Sequence, residues 1–120
     1  MKTKQILLVE DDLMLLYLLD FRLKKEGYHV ETANNGKDAI SKIKSDPPDL
    51  VVSDIMMPFV SGLELTEFIK NECEAEIPIV IISSAGQEEM VLEAFNIGAD
   101  DFIAKPFSPN ELIVRLKKMI

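Results

Sequence analysis

The sequence has a single cysteine, Cys73, so it can form neither an intramolecular disulfide nor a multi-cysteine metal site. A reactive thiol would be the functional reading of Cys73, but its neighbours Glu72, Glu74 and Glu76 oppose thiolate formation. Cationic residues are also scarce: 13 Lys and Arg stand against 21 Asp and Glu, a net charge of −8. That balance argues against direct nucleic-acid binding by this segment, which would need an excess of Lys and Arg to neutralise phosphates. It suits solubility and divalent cations. No apolar run reaches the roughly 18 residues of a membrane span. Residues 1–5 lead into only four apolar residues, Ile6–Val9, where a signal-peptide core needs roughly 7–15. The expectation is a soluble, cytoplasmic protein that does not engage a membrane. There is no internal repeat, low-complexity segment or linker, and 120 residues is the size of one domain. Residues 1–120 are therefore read as a single domain, either free-standing or part of a longer chain.

What is present is a regular alternation. Short apolar runs at Ile6–Val9, Tyr28–Thr32, Leu50–Ser53, Ile79–Ile82 and Phe102–Ala104 are separated by amphipathic stretches near residues 12–26, 36–45, 62–73, 87–97 and 109–119. Three of the runs are rich in Val, Ile and Leu without polar alternation, as expected of strands covered on both faces. Gly27 and Gly98 fall where helix carboxyl ends need a left-handed residue, and Asp46-Pro47-Pro48 stops the second helix. Ser108-Pro109-Asn110-Glu111 reads as an N-cap, a proline at the first helical position and a capping-box Glu. Five strands alternating with five helices predict an α/β fold: a doubly wound (βα)5 parallel sheet with right-handed crossovers, flavodoxin-like. The strand order 2-1-3-4-5, a known order of doubly wound folds, would place a ligand crevice beyond the carboxyl ends of strands 1 and 3.

Polar groups collect at those ends. Strand 1 releases Glu10, Asp11 and Asp12, strand 3 releases Asp54, strand 4 ends at Ser83 and Ser84, and strand 5 ends at Lys105-Pro106. Taken singly, each has an ordinary explanation. An acidic triplet suits a helix amino terminus, a serine pair can cap a helix, and a lysine is usually a surface charge. Their conjunction at four strand ends is the pattern of a site. Two unit charges about 5 Å apart repel by roughly 3 kcal/mol at an effective dielectric near 20, so clustered carboxylates call for a cation. Oxygen-only ligands select a hard divalent ion, and Mg²⁺ suits a site with few protein ligands. Mg²⁺ beside a carboxylate and a lysine fits phosphoryl transfer, with Asp54 as nucleophile.

Val9-Glu10-Asp11-Asp12, Ser53-Asp54-Ile55-Met56-Met57-Pro58 followed by Gly62, Ile82-Ser83-Ser84-Ala85 and Lys105-Pro106-Phe107 occur in order at spacings that, over the whole chain, resemble the receiver domain of two-component response regulators. The resemblance implies that Asp54 accepts a phosphoryl group from a sensor histidine kinase or a histidine phosphotransfer protein. It implies Glu10, Asp11, Asp54 and the Met56 backbone carbonyl on Mg²⁺, and Ser83 and Lys105 on the phosphate oxygens. Ser83 and Phe102 take the places of the switch residues, the Lys105–Pro106 bond is expected to be cis, and homodimerisation on phosphorylation is an open option. Glu10, Ser83, Phe102 and Ser61 stand where Asp, Thr, Tyr and Asp are frequent, and Ser61-Gly62 is read as a turn variant without effect on chemistry. Met56 and Ala85 flank the in-line path to Asp54 and cannot orient water, which predicts slow self-dephosphorylation.

Three other readings are weaker. A dehalogenase-like phosphatase resembles D-x-D, but Met56 stands where its second acid would be. A pseudo-receiver would lack acceptor, metal or phosphate residues, and a flavodoxin-type carrier would have a Ser/Thr/Gly-rich loop after strand 1 instead of acids. In the first helix, Leu15, Leu18, Leu19 and Leu23 are expected to face the sheet at about 100° per residue. Met14, Tyr17 and Phe21, with Leu13 beside them, form a second stripe. Flanking helices could cover it, or it could dock a partner, as the first helix of the resembled family meets the kinase's helical bundle.

Overall fold

Each apolar run becomes a strand and each amphipathic stretch a helix in the computed structural model, which describes residues 3–120. The order is β1 (Gln5–Val9), α1 (Leu13–Lys25), β2 (His29–Ala33), α2 (Gly36–Ser45), β3 (Leu50–Asp54), α3 (Gly62–Asn71), β4 (Ile79–Ser83), α4 (Glu88–Ile97), β5 (Asp101–Ala104) and α5 (Pro109–Met119). All neighbouring strands pair in parallel, in the order β2-β1-β3-β4-β5. The α/β, flavodoxin-like architecture is the one expected.

The uninterrupted apolar runs follow from a sheet covered on both sides. Successive strand residues point to opposite faces, so every residue of a central strand must be apolar. Leu7, Val9, Val51, Ile79 and Ile81 pack with Ala39, Ile43, Leu65, Ile69 and Ala94 of α2, α3 and α4. Ile6, Leu8, Leu50, Val52, Val80 and Ile82 pack on the other side with Leu16, Leu19, Leu23, Leu112 and Leu116 of α1 and α5. None of the described helices is long and apolar enough to cross a membrane.

The helix punctuation has the expected chemistry with one relocation. Gly27 and Gly98 take φ of 98° and 132° just past α1 and α4. Ser108 caps α5 by accepting from the Glu111 N–H at 3.3 Å. The two-way capping box sits at α3, where Ser61 Oγ accepts from the Glu64 N–H at 3.1 Å and Glu64 Oε1 accepts from the Ser61 N–H at 3.3 Å. Ser61 is thus the device that starts α3.

The sheet-facing stripe of α1 also differs from expectation. Leu16, Leu19 and Leu23 are buried, while Leu15 is only partly buried and Leu18 is exposed. A run of Leu13-Met14-Leu15-Leu16-Tyr17-Leu18-Leu19 is apolar in every direction, so periodicity cannot orient it. Contacts from α5 accompany this orientation: Arg22 Nη2 donates to Asn110 Oδ1 at 2.6 Å and Lys117 Nζ lies 2.9 Å from Glu26 Oε1. Met14 is 84% exposed, and Tyr17 and Phe21 are each 64% exposed, so flanking helices do not cover the second stripe.

Candidate functional site

Parallel register brings the strand ends into line. Val9 stands level with Ser53, Asp54 with Ile82, and Ser83 with Ala104. The chain therefore releases Glu10, Asp54, Ser83 and Lys105 along one edge of the sheet, at the point where β1 and β3 send their helices to opposite faces. Backbone bonds hold each position: Glu10 N–H donates to Ala33 O at 3.0 Å, Ile55 N–H to Ile82 O at 2.9 Å, and Lys105 N–H to Ser83 O at 2.7 Å. The Lys105–Pro106 bond is cis.

Within this edge, carboxylate oxygens of Glu10, Asp11 and Asp54 all lie within 4.8 Å of one another. Asp12, the third member of the acidic triplet, is diverted to α1, where its Oδ1 accepts from the Met14 and Leu15 N–H groups at 3.1 and 3.4 Å. Lys105 Nζ lies 3.2 Å from Asp54 Oδ2 and 3.3 Å from Glu10 Oε1. Glu10 is fully buried; its Oε2 accepts from the Asp12 N–H at 3.1 Å, but Oε1 has no aligned hydrogen-bond donor despite the nearby ammonium. A buried carboxylate oxygen without a donor, within reach of two further carboxylates, fits a hard divalent cation such as Mg²⁺. All donors are oxygen, which agrees with that choice.

The charges perturb one another as this geometry requires. Burial, with the Asp54 charge adding to it, pushes the Glu10 carboxyl up to about 7 against the opposing pull of the Asp12 N–H and Lys105. Burial works against the Lys105 ammonium, but Asp54 and Glu10 outweigh it and hold its pKa above the ordinary value. Glu10 therefore gives the metal-free protein a pH dependence of definite sign. Below the ordinary 4.5 both folded and unfolded states hold the proton; between 4.5 and about 7 the unfolded state releases it first, so stability falls as pH rises. The full span corresponds to about 3 kcal/mol. Metal binding needs the ionised carboxylate, so stabilisation by Mg²⁺ should grow through the same window. Melting temperatures with EDTA and with Mg²⁺ between pH 5 and 8 should diverge as pH rises, and Glu10→Gln should abolish most of that divergence. Parallel curves for the wild type would show that Glu10 is not the group that titrates.

The remaining predicted positions separate cleanly. Ser83 is buried at the end of β4. Phe102 in β5 is partly exposed and packs edge-to-face on Phe95, with ring centres 5.9 Å apart and planes at 88°. An open cleft of about 550 Å³ runs between Ser83, Val91, Phe95, Phe102 and Lys105. The Met56 side chain is 52% exposed. His29 is at the opposite end of the sheet, with Nε2 3.7 Å from Glu31 Oε1. Cys73 also lies outside the site, and burial together with Glu72 pushes its thiol up, against reactivity.

Two glycines shape the site in ways the sequence does not advertise. A Cβ on Gly62 would stand 2.5 Å from the Asp54 carbonyl oxygen and 2.6 Å from the Ile55 Cα. A Cβ on Gly36, the first residue of α2, would stand 2.4 Å from the Val60 carbonyl oxygen and 2.6 Å from its Cβ. Gly62 was readable only as part of a motif, and Gly36 only as the start of the second helical stretch. Both are close backbone approaches that depend on tertiary neighbours.

Comparison with known proteins agrees with this geometry. Residues 6–117 match the family model of the response regulator receiver domain. The chain is 34% identical over 117 residues to the alkaline phosphatase synthesis transcriptional regulatory protein PhoP of Bacillus subtilis, covering 98% of this chain and 48% of that protein. It is 37% identical over 118 residues to the phosphate regulon transcriptional regulatory protein PhoB of Pseudomonas aeruginosa, covering 98% and 52%. The chain thus spans about half the length of these curated relatives. The receiver domain of NtrX from Brucella abortus superposes with a TM-score of 0.88 at 34% identity, over 95% of this chain and 96% of that one. The chemotaxis response regulator CheY4 of Vibrio cholerae superposes with a TM-score of 0.90 at 26% identity, over 99% and 100%. In sequence, in strand order and in the acidic edge of its sheet, this chain belongs to the response regulator receiver domain family.

Proposed function

We propose that the protein is the phosphoacceptor of a two-component system, acting in the cytoplasm, in which Asp54 takes a phosphoryl group from a phosphohistidine on a sensor histidine kinase or a histidine phosphotransfer protein. The observation that carries this reading is the contact of Lys105 Nζ with Asp54 Oδ2 at 3.2 Å inside a cluster of three carboxylates. In the transfer an Asp54 carboxylate oxygen forms the new P–O bond as the P–N bond to the donor imidazole breaks. Glu10, Asp11, Asp54 and the Met56 backbone carbonyl would hold Mg²⁺. When bound, Mg²⁺ supplies positive charge that offsets the negative charge on the phosphoryl oxygens. Lys105 exchanges its pairing with Asp54 for a phosphate oxygen, and the Ser83 hydroxyl follows to a second one. Removal of Ser83 from its resting position opens room in the adjoining cleft for the Phe102 ring, which changes the surface of α4 and β5. The half-exposed Met56 and the methyl of Ala85 offer no hydrogen bond to an attacking water, which supports a long-lived phosphoryl group. Intact-mass measurement with acetyl phosphate and Mg²⁺ should show one added phosphoryl group per chain, and none with EDTA. Uptake that survives EDTA would overturn the assignment of the cluster as a metal site.

The exposed stripe of α1 is the proposed docking face for the donor protein. The stripe of Met14, Tyr17 and Phe21 begins two residues after Asp12, beside the acidic edge, and large exposed aromatics are characteristic interface anchors. The double variant Tyr17→Ser, Phe21→Ser should slow phosphotransfer from a kinase about tenfold or more. Its melting temperature should stay near the wild-type value because neither ring is part of the core. A clear fall in melting temperature, or an equal slowing with acetyl phosphate, would assign the stripe to folding instead.

A further inference from the structure

Four of the five helices begin with a side chain that caps them: Asp12, Asn35, Ser61 and Ser108 each accept from a backbone N–H in the first turn. Among the described residues α4 is the exception. Its N-cap position holds Gln87, whose side chain makes no cap hydrogen bond. Instead Gln87 Oε1 reaches back three residues and accepts from the Ser84 N–H at 2.6 Å, while the Gln87 N–H donates to the Ser84 carbonyl at 3.3 Å. Gln87 is partly buried, although every other residue from Ser84 to Glu89 is exposed. The peptide unit that it holds is fixed at both ends. On the β5 side the Ser83 carbonyl accepts from the Lys105 N–H at 2.7 Å. In a trans peptide the N–H points opposite to the carbonyl, so the Ser84 N–H leaves β4 on the β3 side. That is the side on which the Ile55 N–H reaches the Ile82 carbonyl at 2.9 Å, and β3 ends there at Asp54, level with Ile82. The Ser84 N–H is thus the first backbone donor past β4 to face the Asp54 edge, and Gln87 occupies it.

We infer that Gln87 is a positioning residue that latches the resting site: its side-chain oxygen ties up the Ser84 N–H and must release it when Asp54 carries a phosphoryl group. The inference rests on the phosphoacceptor reading and adds to it a contact that phosphorylation has to break. A phosphoryl group brings negative oxygens to this edge, and a hydrogen bond to a charged oxygen is stronger than one to a neutral amide oxygen. The Ser84 N–H therefore exchanges the Gln87 oxygen for a phosphoryl oxygen. That exchange also cuts the side-chain tie between the end of β4 and the start of α4. The cleft shared by Ser83, Ser84, Val91, Phe95 and Phe102 lies between these two elements, so the latch sits where a change at Asp54 passes to α4. A contact made only at rest subtracts its strength from the affinity for the phosphoryl group. Loss of the Gln87 acceptor should consequently favour the phosphorylated arrangement, whereas loss of a merely structural contact should not.

The test titrates the protein with beryllofluoride in the presence of Mg²⁺, a noncovalent stand-in for the phosphoryl group on Asp54, and reads the affinity by calorimetry. Gln87→Met keeps the length of the side chain without the amide oxygen, and it should bind about three- to tenfold more tightly than the wild type. Gln87→Asn is too short to reach Ser84 but is a good helix cap, so it should tighten binding likewise while its melting temperature holds or rises. Gln87→Glu keeps both reach and acceptor and should gain no affinity. Initial rates of labelling by acetyl phosphate should follow the same order. Unchanged or weaker binding in Gln87→Met would overturn the inference, and a gain confined to Gln87→Asn would do so too, because capping of α4 would then be its cause. An equal gain in Gln87→Glu would trace the effect to the loop at large and overturn it as well. A wild-type protein that neither binds beryllofluoride nor takes up a phosphoryl group with Mg²⁺ would overturn the phosphoacceptor reading itself, and the latch with it.

Discussion

Asp54→Asn should take up no phosphoryl group from any donor, while folding at least as stably as the wild type. The position is singled out among the carboxylates by access and partners together. Glu10 is fully buried and holds a proton up to about pH 7, so it is a poor nucleophile with no open approach. Asp11 is exposed, and among the described residues Lys105 pairs with Glu10 and Asp54 instead. Asp54 alone combines an approach from outside with an ammonium 3.2 Å from its Oδ2. Asparagine keeps the shape and an oxygen for Lys105 but removes one of the three carboxylates from the cluster. That change should bring the Glu10 carboxyl back toward its ordinary value, because the Asp54 charge is one of the causes raising it. Intact mass after acetyl phosphate and Mg²⁺ reads the loss, and thermal melting with EDTA reads the stability. Phosphate retained on Asp54→Asn would move the acceptor to another carboxylate. A large drop in melting temperature would mean that the cluster holds the fold together rather than straining it.

Gly62→Ala should be among the most damaging single substitutions outside the core. The added carbon would meet the Asp54 carbonyl oxygen at 2.5 Å, the Ile55 Cα at 2.6 Å and the Asp54 carbonyl carbon at 3.2 Å. All three are backbone atoms at the end of a fully buried central strand, and none can swing away as a side chain could. Relief requires α3 to lift from β3, breaking the Gly62 N–H bond to Ile55 O and carrying the Ser61–Glu64 cap with it. A cost of about 3 kcal/mol is expected, or a fall of roughly 10 °C in melting temperature. Because Asp54 must shift, phosphoryl uptake should also slow at temperatures where the variant remains folded. Gly27→Ala is the natural comparator: no atom lies within 4 Å of its Cβ position, so only its φ of 98° is penalised, by about 1–2 kcal/mol. Equal melting temperatures for the two variants would mean that the approach of α3 to Asp54 is looser than these distances indicate.

The strand and helix order and the main partners at the sheet's edge were readable from local chemistry, while the sheet order was carried over from known doubly wound folds. Uninterrupted Val-Ile-Leu runs can only be strands covered twice, and glycine, proline and serine mark helix ends by mechanisms that act within a few residues. Acids, a serine and a lysine placed directly after such runs must emerge together once the strands are parallel. Four of the emergent positions, Glu10, Asp11, Asp54 and Lys105, do meet.

What the sequence left undecided depends on neighbours far along the chain. The facing of α1 was ambiguous because nearly every residue in its first two turns is apolar; contacts from α5 to Arg22 and Glu26 accompany the turn that buries Leu16 and exposes Leu18. The acidic triplet could not be divided from sequence alone, since Asp11 and Asp12 are chemically identical and only the start of α1 makes one a cap and leaves the other near Asp54. Gly62 looked like a turn residue and Gly36 like an ordinary helix start until Asp54 and Val60 were brought against them. Residue chemistry by itself determined the alternation of elements and which groups could form the site, because propensity and burial pattern act locally. Tertiary structure decided which face, which acid and which glycine, because those choices are set by distances between segments that only packing brings together.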